Sequence, residues 1–158
     1  MNQLAMAAVL SELKEYFDRS TRVLEEADST FAPKEGMYTA SQQVAHAAQT
    51  LNWFVRGAFA PEGFDLDFER MDKNMRSVTS LGAARAWLDK ACAEAKAAIE
   101  GHTEAEWAEP LPPGPIMGGL PRFAVLGALA DHTAHHRGAL TVYSRLLGKV
   151  PPMPYMDM

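Results

Sequence analysis

Residues 121–147 read PRFAVLGALADHTAHHRGALTVYSRLL, and their periodicity sets the architecture. At about 100° per residue, Leu129, His132, His136, Leu140, Tyr143 and Leu147 all fall within roughly 60° of Val125. This is the apolar stripe of a helix predicted from about Pro121 to Leu147. Proline is tolerated near a helix start, and Gly148 suits the end. Pro151, Pro152 and Pro154 forbid continuation and leave an extended tail. Two imidazoles, His132 and His136, interrupt the stripe one turn apart and point where the core should be.

Three further segments repeat apolar residues at helical spacing, and nothing alternates at period two. The first, from about Gln3 to Ala27, carries Met6, Leu10, Leu13, Phe17, Ser20, Leu24 and Ala27 on one seam. The second runs from about Ala40 to Ala60. Thr39 and Gln42 form a capping box at its start, and Pro61 stops it. Val44, Ala48, Leu51 and Val55 make its apolar face, while His46, Thr50, Trp53 and Gly57 lie elsewhere, so contact on more than one side is expected. The third runs from about Leu81 to Glu100, after Thr79 or Ser80 as N-cap. Its stripe of Leu81, Ala84, Leu88, Ala91, Ala95 and Ala98 is slim and admits a close neighbour. Residues 62–76 are mixed, with room for a short helix. Residues 109–121, EPLPPGPIMGGLP, form a Pro/Gly-rich loop. The expectation is all-α: one four-helix-bundle domain over residues 1–158 with a proline-containing tail.

Composition narrows the function. The 158 residues carry 15 Lys+Arg against 20 Asp+Glu, a formal charge of −5. A mildly acidic chain without a basic cluster is a poor phosphate binder, so no nucleic-acid partner is expected. Cys92 is the one cysteine, which excludes an intrachain disulfide framework and a Cys-rich zinc module. No apolar run has the length of a membrane span, and the N-terminus reads as mature protein. A soluble cytoplasmic protein is expected.

The five histidines are His46, His102, His132, His135 and His136. Two neutral imidazoles side by side resist protonation, and each buried ring nitrogen needs a partner. A metal ion meets both demands by taking a lone pair from each ring. Core histidines bonded to carbonyls, carboxylates or water are the plainer alternative. His46, mid-helix and off the main aliphatic face, is the candidate third ligand. His135 sits on a flank as a second-layer residue, a pocket proton donor or an exposed group. His102, after Gly101, reads as a cation at a helix C-terminus. Thr133 stands where a zincin has its glutamate, Gln43 weakens a di-iron reading, and no haem-attachment motif is present. A mononuclear three-His site with an open position fits best.

The segment Gln43-Val44-Ala45-His46 and the block His132-Thr133-Ala134-His135-His136-Arg137-Gly138 together carry a resemblance. With the Leu146-Leu147-Gly148 end and the proline-bearing tail, they resemble the DinB/YfiT-like superfamily of small metal-binding four-helix bundles. The resemblance covers essentially the whole chain in helix order and spacing. It implies His46, His132 and His136 as ligands of a divalent ion, zinc or nickel, and a homodimer. It also implies action on a small-molecule substrate, mostly S-transfer or isomerisation with a low-molecular-weight thiol as cosubstrate. Ala139 departs from the pattern, which often has Gln there.

Three neutral imidazoles leave the dipositive charge on an ion, which acidifies a water or thiol that it holds. Hydrolysis and thiol transfer both follow, and the residues do not choose between them. Trp53 and Tyr143 are candidate pocket walls. No carboxylate falls on the predicted inner stripes to act as a general base. A non-catalytic, stress-associated homodimer with a structural ion is the alternative.

Overall fold

The computed structural model describes residues 1–156. Four long helices make the frame: α1 (Gln3–Thr21), α2 (Ala40–Phe59), α4 (Leu81–Gly101) and α6 (Ala124–Leu146). Two short ones, α3 (Phe68–Arg76) and α5 (Glu104–Ala108), lie in the connections. Among the described residues the sole strand-like feature is an isolated bridge between Pro110 and Pro121. No described helix is long and apolar enough to cross a membrane.

The helices form where side chains satisfy their ends. Thr39 accepts from the Gln42 N–H, and the Gln42 side chain accepts from the Thr39 N–H, closing the expected capping box. Ser80 caps α4 by accepting from the Ala83 N–H. Gly148, at φ +74°, supplies the left-handed residue that ends α6.

Two boundaries and one added helix differ from expectation. α1 stops at Thr21, six residues short of Ala27. There the Arg85 guanidinium donates to the carbonyls of Thr21 and Leu24, and the chain turns into a 3-10 segment at Glu26–Asp28. Leu24 stays buried while Ala27 is exposed. α6 starts at Ala124, because the bridge at Pro121 holds the preceding residues in a turn. α5 was not expected, although Thr103 and Glu106 form a capping box that drives Trp107 into the core.

The long helices share one core. The buried face of α1 is Met6, Leu10, Leu13 and Phe17, and that of α6 is Val125, Leu126, Leu129, Leu140 and Tyr143. α2 buries Val44, Leu51 and Val55 together with Ala45, Ala47, Ala48 and Ala58, as a helix packed on two sides must. Its tightest partner is α4, whose Ala84, Ala91 and Ala95 permit close approach. Ile99, not Ala98, completes the α4 stripe. Around the bundle the order is α1, α4, α2, α6, so α1 lies diagonally from α2 and α4 from α6. The long stretch before α6 is what spans that second diagonal.

The tail is docked. Arg19 donates to the Pro154 carbonyl, Tyr155 packs edge-on against Tyr16 at 5.2 Å, and Arg137 lies over both rings.

Candidate metal centre

α2 and α6 pack side by side, and that contact decides the site. His132 and His136, four residues apart, project from one face of α6 toward His46 on α2. Ring centroids lie 5.1 Å apart for His46 and His132, 4.9 Å for His46 and His136, and 4.5 Å for His132 and His136. One ligand atom from each residue falls within 4.8 Å of the other two.

The hydrogen bonds behind His136 fix its tautomer. The Tyr143 hydroxyl donates to the Tyr38 carbonyl at 2.8 Å, so it accepts from Gln43 Nε2 at 3.1 Å. Gln43 therefore turns its Oε1 to His136, whose Nδ1–H donates to it at 2.5 Å. His136 Nε2 is left with its lone pair inward, 3.3 Å from His132 Nε2. Two nitrogens bound to one tetrahedral ion at about 2.0–2.1 Å stand about 3.4 Å apart. His46 Nδ1 is buried without a hydrogen-bond partner. A borderline-soft divalent cation fits this donor set.

Electrostatics keep the rings neutral. Burial pushes His136 down to about 3, with the neighbouring His132 adding to the effect. Burial, then the repulsion that a protonated His46 would exert, pushes His132 down to about 4. His46 is lowered as well, chiefly by burial.

The other expected residues divide. Trp53 lines a cavity of about 540 Å³ that opens on His46 and His132, and its Nε1 donates to the Asp65 carbonyl. Tyr143 is not part of that lining; it is buried behind His136 as the anchor of Gln43. His135 is exposed, with its ring edge against His136 at 5.0 Å, and lies outside the cluster. His102 ends α4 as expected and stacks on Phe59 at 3.7 Å. Burial pushes the Cys92 thiol up to about 12, which removes it as a nucleophile.

Two residues beyond the expected set stand at the cavity. Asp72, on α3, is a carboxylate in its wall, although none of the four long stripes provides one. Its Oδ1 accepts from the Tyr38 hydroxyl at 3.0 Å and its Oδ2 from Arg76 Nε at 2.7 Å. Arg76, and then Tyr38, hold Asp72 below the usual carboxylate range. Tyr38, raised by burial and by Asp72, links both networks: its carbonyl serves Tyr143 and its hydroxyl serves Asp72. An adjoining cavity of about 620 Å³ shares Gln49, Trp53 and Met71 but none of the clustered histidines, so its greater size does not make it the site.

Comparison with known proteins agrees with this fold. The model of a family described as the DinB superfamily matches residues 6–140. Among solved structures, the chain resembles YfiT from Bacillus subtilis, described as a probable metal-dependent hydrolase with an unusual four-helix bundle topology. The TM-score is 0.70 at 17% identity, covering 93% of this chain and 88% of that one. No curated protein matches this sequence.

Proposed function

The chain belongs to the DinB superfamily, and from that premise we propose that it is a mononuclear metalloenzyme, a hydrolase or group transferase acting on a small molecule. His46, His132 and His136 would hold the ion, zinc or nickel by the chemistry of three imidazoles. The observation that carries the reading is the convergence of three neutral rings on one point at the edge of a cavity. A structural ion would be enclosed by protein ligands on every side; this cluster opens on about 540 Å³. When bound, such an ion supplies Lewis acidity and lowers the pKa of a nucleophile, water or a low-molecular-weight thiol.

The chain's own groups do the rest. Gln43 and Tyr143 hold the His136 lone pair inward. Asp72, kept ionised by Arg76 and Tyr38, has lone pairs left to accept a proton from an incoming nucleophile in the cavity. Trp53 supplies part of the cavity's apolar wall.

We extend the proposal to one domain over residues 1–158, located in the cytoplasm and paired as a homodimer. The exposed Val142, Leu146 and Val150 on and after α6 support an interface. Elemental analysis of protein prepared without chelator or affinity histidines is expected to find one ion per chain. His46→Ala, His132→Ala and His136→Ala should each abolish it while keeping helical circular dichroism; full retention in all three would overturn the proposal.

A further inference from the structure

The wall of the cavity beside the histidines restricts what can enter it. Six apolar or aromatic side chains supply most of it: Tyr38, Trp53, Phe54, Phe68, Met71 and Ile116. Asp72 is the one acidic side chain of the lining, and each of its oxygens already accepts one hydrogen bond, from Tyr38 and from Arg76. Away from the proposed ion, a charged body entering here would shed hydration against a largely apolar wall. The adjoining cavity is the reverse, with Arg56, Arg70, Lys90, Glu62, Asp65 and Glu94 in its lining.

Two residues at the rim sharpen the contrast. Phe68 is 54% exposed and packs edge-on to Trp53 at 6.0 Å, a large ring that gains when a ligand covers it. Ile116 reaches the cavity from the loop before α6. That loop is pinched at its base by the Pro110–Pro121 bridge and by the Leu111 N–H donating to the Leu120 carbonyl at 2.7 Å. Its backbone passes so close to itself that a Cβ at Gly118 would lie 2.6 Å from Gly114. The loop thus presents Ile116 in a defined place. A volume of about 540 Å³ suits a small organic molecule.

We infer that the substrate of this site has a planar apolar body, the size of a phenyl or bicyclic ring, packed against Trp53, Phe68 and Ile116, with its reacting group turned to His46 and His132. This rests on the metal reading above, and the test separates the two. Acetohydroxamate and benzohydroxamate carry the same metal-seeking group on a methyl and on a phenyl body. Each is titrated calorimetrically into the full chain loaded with one equivalent of zinc. Both should bind, benzohydroxamate about tenfold or more tighter, as expected for burying one ring. Phe68→Ala and Ile116→Ala should each reduce that advantage by about threefold or more. Acetohydroxamate affinity should stay unchanged in both variants, which also reports that they fold and hold zinc. Equal affinities in the unaltered protein, or an advantage that both variants leave intact, would overturn the inference while the metal reading stands. Absence of zinc uptake, with neither hydroxamate bound, would overturn both.

Discussion

Gln43 governs which nitrogen of His136 faces the cluster, and it does so because Tyr143 has already committed its proton to the Tyr38 carbonyl. Replacing Gln43 with Leu removes that acceptor and lets the ring turn. The expected outcome is a loss of metal affinity of about 10–100-fold, measured by competition with a chromophoric chelator, with the helical signal retained. The lowered histidines also predict a pH effect. In the unfolded chain they titrate near the ordinary 6.5, whereas folded His132 and His136 stay neutral down to about 4 and about 3. Between these limits the unfolded state binds more protons, so folding loses stability as pH falls below 6.5. Thermal unfolding of chelator-treated protein should show a falling midpoint from pH 7 to pH 5. The slope should flatten in the His132→Ala, His136→Ala double variant; an unchanged slope there would assign the effect to other groups.

At the scale of elements, α3 matters more than its nine residues suggest. It brings Asp72, Met71 and Phe68 over the cavity, and it is tethered to the residue before the α2 cap by Tyr38–Asp72 and to α2 by Gln49 Nε2 donating to the Met71 carbonyl at 2.8 Å. The segment leading into it depends on a glycine. A Cβ at Gly57 would lie 2.2 Å from the Phe64 ring, which packs there against Trp53 and Phe54. Gly57→Ala should therefore destabilise the fold by about 1–3 kcal/mol and shift Trp53 fluorescence, as read by denaturant unfolding. At the other end of the bundle, Arg85→Ala strips the donor from two carbonyls, one at the end of α1 and one just past it. A cost of about 1–2 kcal/mol is expected in the same assay, with metal uptake unaffected.

For the whole molecule, the proposed ion ties α2 to α6, two helices far apart in sequence. Only the native state brings those ligands together, so binding adds to folding stability by mass action. Zinc at a free concentration a hundredfold above its dissociation constant should add about 2.7 kcal/mol. For a chain of this length that raises the melting midpoint by about 5–11 °C. Calorimetry with and without chelator checks it, and the His46→Ala variant should show no rise.

Much of this architecture was legible in the chain because helices are local. Periodicity marked the four long helices, and Thr39, Gln42, Ser80 and Gly148 marked their ends, since caps are made within a few residues. The inward placement of His132 and His136 followed from the same arithmetic. α1 ends short of its apolar periodicity because Arg85, distant in sequence, takes up the carbonyls there. The register that sets His46 opposite those two rings comes from the α2–α6 contact. Gln43 and Tyr38 acquire their roles from partners 34 to 105 residues away, and Asp72 meets Tyr38 across the same distance, which no local pattern encodes. The sequence by itself determined the four long helices and which of their faces are apolar, because those depend on neighbours along the chain. The tertiary structure decided the cavity, its carboxylate and the tautomer of His136, because each needs groups that meet only when the bundle closes.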